Sequence, residues 1–204
     1  MLPSGFIAVA IALRLIGGFA YLRATARGRA HPELISWFLW AATPMIAFSA
    51  ELSAGIGSVA LVTLALGVSP LLVFVTALIK RTGTLRFDLF NICCVVLSVT
   101  GVALWRLTSD PELAIVLVIM ADIASVVPTI RKIIRAPHTE YPVTYGLSAV
   151  AMILTLLTIT KWQFAAYAFP LYILAINIVI VSFIIYYSTK HRTKNSNKRG
   201  KRKR

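Results

Sequence analysis

Residues 126–148 read VVPTIRKIIRAPHTEYPVTYGLS, and residues 17–37 read GGFAYLRATARGRAHPELISW. Each stretch leaves an apolar run, crosses a short basic connection and enters a second apolar run. The later stretch also carries a proline, Pro128, near the end of its first run. Sliding the chain on itself by 108 residues superposes the two. Leu22-Arg23 fall on Ile130-Arg131, Arg27 on Arg135, and Ser36-Trp37 on Thr144-Tyr145. Matched loop residues between matched apolar runs point to an internally repeated fold, a common way of building membrane transporters.

Composition places both copies in lipid. The chain is 58% hydrophobic and 14% charged, with a mean hydropathy of +0.82. A soluble domain of 204 residues cannot hide that much apolar surface. Crossing a bilayer takes about 20 mostly apolar residues. Seven runs meet this need, at about 4–22, 34–51, 56–79, 87–106, 113–131, 143–160 and 164–188. Backbone polar groups must be satisfied inside lipid, so the runs are read as helices. The first run follows no basic segment and contains Arg14, so it reads as a retained helix rather than a signal peptide.

The loops orient the chain. Arg23, Arg27 and Arg29 lie in the first connection, Lys80, Arg81 and Arg86 in the third, and Arg131, Lys132 and Arg135 in the fifth. The connections on the other side hold Glu51, Asp110 and Glu112, with only Arg106 and Lys161 as cations. By the positive-inside rule the N-terminus is outside and the C-terminus cytoplasmic, in the cell membrane. Nine of the Lys and Arg residues fall within 190–204; without them the net charge of +14 drops to +5.

The shift of 108 also aligns 4–22 with 113–131, 34–51 with 143–160, and 56–79 with 164–188, leaving 87–106 unmatched. The expected fold is an all-α integral membrane protein of seven transmembrane helices arranged three, one, three. Its parts are a first three-helix repeat (1–82), a linker helix (83–108), a second repeat (109–189) and a disordered basic tail (190–204). A single linker crossing gives both repeats the same orientation, related by a pseudo-two-fold axis along the membrane normal.

This layout resembles the SWEET sugar transporters and the wider PQ-loop superfamily. The family signature is Pro-Gln at the inner end of a triplet's first helix, then a basic stretch, then a small polar start to the next helix. Pro128-Thr129, Arg131-Lys132 and Gly146-Leu147-Ser148 follow that outline without the glutamine, and Phe19-Ala20 replace both motif residues in the first triplet. RGRAHPELISWFLWA and PTIRKIIRAPHTEYP also look like a group of bacterial multi-pass membrane proteins. The resemblance implies a small-solute, sugar-like carrier working by alternating access. The alternative is a non-transporting membrane receptor or assembly subunit, since the KDEL receptor resembles the same architecture and binds a peptide signal.

Several residues are candidates for that function. Arg14 and Asp122 are charges near mid-helix, exactly one repeat apart, and a buried charge in a membrane is costly unless paired. Facing one another across the pseudo-axis, they are expected to form an intramembrane ion pair, as a structural lock or as part of gating or binding. Proline loosens a helix one turn back, so Pro128, beside the basic loop, is a candidate hinge at the inner gate. Trp162 and Asn177, 15 residues apart, resemble the family's substrate-contacting Trp and Asn, with Ser69 the counterpart of Asn177. A carboxamide suits sugar hydroxyls and an indole suits a sugar face. The competing reading is an interfacial anchor Trp and a helix-packing Asn. Trp37 and Trp40 read as aromatic-belt residues, and Glu140 as the local partner of a loop cation.

Other features exclude functions. Cys93 and Cys94 are adjacent, a poor geometry for a disulfide, and His31 and His138 are isolated, so no metal or cofactor is expected. No phosphate-binding loop, HExxH, GxSxG or dinucleotide fingerprint occurs, so the chain does not read as an enzyme. The basic tail suits anionic lipid at the membrane surface. Charge without a folded reader gives no specific nucleic-acid binding. The expected partners are therefore the lipid bilayer and a small polar solute; the oligomeric state is not specified by the residues.

Overall fold

The computed structural model describes residues 2–85 and 110–202, with positions 92, 96 and 100, and side chains as far as residue 190. Six helices run through these residues: α1 (Gly5–Ala26), α2 (Leu34–Ser53), α3 (Ala60–Lys80), α4 (Pro111–Arg135), α5 (Pro142–Thr158) and α6 (Phe164–Arg202). A 3-10 turn covers Pro137–Thr139, and the extended backbone contributes only an isolated bridge between Glu33 and Thr84. The chain is thus all-α. Five helices are long and apolar enough to cross a membrane, namely α1 to α4 and the Phe164–Lys190 portion of α6; α5 is a shorter apolar helix. Each expected run within these residues falls on one helix. The expected linker helix at 87–106, with Cys93 and Cys94, lies outside the described residues apart from the three isolated positions. Helix α6 continues to Arg202, where the basic run reads as disordered. Extending an existing helix needs no new nucleus, and the run contains no proline.

The helix ends follow local chemistry. Asp110 caps α4, its carboxylate accepting from the backbone N–H groups of Glu112 and Leu113, with Pro111 at the first position. Glu33 caps α2 by accepting from the N–H of Ser36 at 2.7 Å. Helix α1 ends at Gly28, whose φ of 66° lets the N–H of Arg29 return to the carbonyl of Ala24 at 2.8 Å.

Packing closes the six helices into a ring. Helix α1 packs on α3, α3 on α2, α2 on α4, α4 on α6, α6 on α5, and α5 back on α1. The first and last three helices thus form two triplets, each with its third helix in the middle. The triplets meet along two seams, α1 with α5 and α2 with α4.

Two hydroxyls tie these seams. Ser36 Oγ donates to the carbonyl of Ser125 at 2.9 Å, and Thr144 Oγ1 donates to the carbonyl of Gly17, also at 2.9 Å. Close approach needs small residues. A Cβ at Gly17 would stand 3.2 Å from the Thr144 carbonyl oxygen, and one at Gly18 would overlap the Ser69 side chain.

The core is unequal from end to end. At the end away from the basic loops, one continuous cluster draws on all six helices, including Ala10, Ala50, Val62, Ile115, Met152 and Phe169. At the basic end there are two clusters. Tyr21, Trp37 and Val73 belong to the first triplet; Val126, Ile133, Tyr145 and Ile180 belong to the second. Outward faces are apolar too: Phe19 is 62% and Ile79 72% exposed, a surface suited to lipid.

Gly18→Ala should lower thermal stability in detergent by an overpacking cost of about 1–3 kcal/mol. Gly5→Ala, whose Cβ meets nothing within 4 Å, should leave it unchanged. Equal melting of the two variants would contradict the α1–α3 packing.

Candidate functional site

Prolines inside helices free backbone carbonyls, and this structure uses one of them. Pro70 lacks the N–H that would bond the Leu66 carbonyl one turn earlier. Arg14 reaches from α1 into that place, its Nη2 donating to Leu66 O at 3.4 Å. Arg14 is 9% exposed, and its Nε has no partner.

Across the ring, Asp122 of α4 is buried and doubly bonded. Thr43 Oγ1 donates to its Oδ1 at 2.7 Å, and the Tyr172 hydroxyl donates to its Oδ2 at 2.6 Å. The acid thus joins α2, α4 and α6.

Arg14 and Asp122 line one pocket, on the seam between the triplets. Every described helix contributes to its wall, among them Trp37, Trp40 and Pro44 of α2, Leu66 and Pro70 of α3, Thr144, Tyr145 and Ser148 of α5, and Asn177 of α6. Its cavity volume is about 60 Å³, room for a few water-sized groups. Small-molecule sites of this kind are concave, mostly apolar, and carry a few placed polar groups.

The expected ion pair is not made. Among the described residues the salt bridge is Lys132–Glu140, and none joins Arg14 to Asp122. The guanidinium turns instead to the carbonyl freed by Pro70, while Thr43 and Tyr172 hold the carboxylate in place with one hydrogen bond to each oxygen. The two charges share the pocket from different triplets without touching.

The other expected residues separate. Asn177 is in the pocket wall, with its Nδ2 donating to the carbonyl of Ile173 at 2.6 Å. Its counterpart Ser69 is buried against Gly18 and is not part of the wall. Trp162 is 58% exposed and stacks on Tyr167 at a centroid distance of 5.7 Å, away from the pocket. Pro128 is also outside the wall; it follows Ser125, whose carbonyl accepts the seam bond from Ser36.

Trp37 and Trp40 read differently in three dimensions. Trp37, expected in an interfacial belt, is 4% exposed. It packs between Tyr21 at 4.3 Å and Trp40 at 5.5 Å, and Trp40 meets Tyr145 edge-on at 6.4 Å. This row crosses from one triplet to the other and forms part of the pocket wall. The match of Trp37 with Tyr145 at a shift of 108 was the available signal.

Beyond the aromatics lies a polar latch. Glu140 takes Lys132 Nζ at 2.7 Å and the Tyr145 hydroxyl at 2.9 Å. Lys132 Nζ also donates to the carbonyl of His31, in the first triplet, at 2.5 Å. The pairing of Glu140 with a nearby cation is thus present, and it also links the triplets. Glu51, read from sequence as a loop charge, is instead buried within α2, where Oε1 accepts from Thr63 Oγ1 at 2.9 Å and Oε2 is unpartnered. Among the described residues no group of three His, Cys, Asp or Glu side chains could hold a metal.

Tyr172→Phe should cost about 1–2 kcal/mol of stability by leaving one Asp122 oxygen without its donor. In an Asp122→Leu background the same change should cost clearly less. Equal costs in both backgrounds would show that the bond contributes nothing. No family model, curated protein or solved structure matches the chain.

Proposed function

We propose that the protein crosses the cell membrane seven times as two parallel three-helix repeats around a linker helix, basic end in the cytoplasm, and carries a small polar solute by alternating access. The arrangement is that of the SWEET and PQ-loop carriers, which the loops resemble.

The repeat reading has support from the helix ring. Exchanging α1 with α4, α2 with α5 and α3 with α6 returns the same set of packing pairs. The seam bonds obey the same exchange: Ser36 to Ser125 and Thr144 to Gly17 are one interaction seen twice, each residue shifted by 108. Arg14 with Asp122, Trp37 with Tyr145 and Trp40 with Ser148 are likewise pairs at that shift, and all six line the pocket. Helix α5, 17 residues long, rises about 26 Å, which suits a span with slight local thinning or flanking loops at the interface. The seventh crossing, 87–106, rests on the sequence alone.

The observation that carries the transport reading is the unequal core. One continuous apolar cluster fills the end of the molecule away from the basic loops. Toward the basic end the triplets keep separate clusters, held together by the aromatic row and the Lys132–Glu140 latch. A midplane site with one thick and one thin barrier is what rocking triplets require. Pro128 would serve as the hinge, loosening α4 beside the Ser36 seam bond.

Purified protein in liposomes should show saturable uptake of at least one solute from a panel of sugars, amino acids and short peptides. Pro128→Ala should slow that uptake several-fold. With Cys93 and Cys94 replaced by Ser, Ser148→Cys should react with an impermeant thiol reagent from the basic side. Glu140→Ala should speed the reaction, while Ala47→Cys stays protected. A folded protein with no saturable uptake, and a stoichiometric protein partner instead, would favour a receptor or assembly subunit.

A further inference from the structure

The pocket's two charges are each incompletely answered by the protein. Arg14 brings a guanidinium with five donors in a fixed fork. Its one bond to protein, 3.4 Å to Leu66 O, is longer than the usual 2.7–3.2 Å or so. Its Nε is buried and has no partner. An ion this deep in a membrane protein needs a counter-charge. Among the described residues Asp122 is the acid in the pocket wall, and it forms no salt bridge with Arg14.

Asp122 presents the complementary deficit. Its donors are two neutral hydroxyls, those of Thr43 and Tyr172, and no cation pairs with it among the described residues. A carboxylate offers about four acceptor positions, so two donors leave room for more. Trp40 and Tyr145 stand in the same wall, and aromatic faces favour a cation beside them.

We infer that the pocket takes a zwitterion of amino-acid size, its carboxylate held by Arg14 of one triplet and its ammonium by Asp122 of the other. A neutral sugar would leave both ions unanswered, and a lone anion would bring its charge beside Asp122. The zwitterion answers both, and it bridges α1 of the first triplet to α4 of the second. It therefore couples occupancy to the relative position of the triplets. This inference rests on the reading of the pocket as a carrier's binding site and narrows the solute from sugar-like to zwitterionic.

The test is equilibrium binding to the purified full-length protein, by thermal shift and calorimetry. The twenty common amino acids are tried singly at up to tens of millimolar, with glucose and sucrose alongside. At least one amino acid should bind. Its amide, lacking the carboxylate, and its des-amino acid, lacking the ammonium, should each bind at least tenfold more weakly. In Arg14→Gln the amide and the acid should bind alike; in Asp122→Asn the des-amino acid should lose its disadvantage. The analogue series on the unaltered protein decides the matter even if a variant misfolds. Sugar binding without amino-acid binding, binding of the amide equal to the acid, or no amino-acid binding at all would each overturn the inference. Uptake of a sugar alone would leave the carrier reading standing and this inference fallen. Amino-acid binding without uptake would do the reverse.

Discussion

Apolar helices placed in lipid have no hydrophobic reason to associate, since lipid tails are as apolar as leucine. What remains is close packing and polar contact. In this protein both come from the same places, the seams where Ser36 donates to the Ser125 carbonyl and Thr144 to the Gly17 carbonyl. The glycine at position 17 brings α1 within reach of α5, and the hydroxyl then fixes the register. Everything between the seams, including the pocket, takes its position from these contacts.

The unequal core follows from which residues each end can bring to the axis. Away from the basic loops nine of the twenty buried cluster residues are alanines, with Met152 and Phe169 among the larger side chains between them. Small side chains let six helices converge, and the cluster becomes continuous. At the basic end the inward positions are Tyr21, Trp37, Trp40 and Tyr145. These rings hold the helices apart, and the space they leave is the pocket. Prolines add the polar detail: Pro70 exposes a carbonyl that Arg14 then occupies, which draws the guanidinium away from Asp122.

Much of this was legible from residues. The apolar helix runs are read from hydropathy, because spanning length and backbone satisfaction leave strongly apolar segments few choices. Arg14, Asp122 and Asn177 stand out in sequence because charge and amide groups in apolar helices are conspicuous, and all three line the pocket. Their partners do not stand out. A threonine at 43 and a tyrosine at 172 look ordinary in sequence, and only the fold aims them at one carboxylate. Glu51 was misread for a related reason: hydropathy sees it as the end of an apolar run, whereas the packing of α2 on α3 buries it against Thr63. Trp162 and Ser69 were placed by analogy of spacing, and spacing along a helix does not say which neighbour a side chain meets.

The sequence by itself determined the all-α class and the long apolar helices. These depend on local composition and on periodicity, properties of each segment alone. Only the tertiary structure decided that α3 and α6 stand in the middle of their triplets, that one end carries a single continuous core, and that Arg14 and Asp122 share a pocket without pairing. Those outcomes depend on competition among side chains from different helices for the same carbonyls, carboxylates and space. No single segment contains that competition, so it is settled only when all six are packed together.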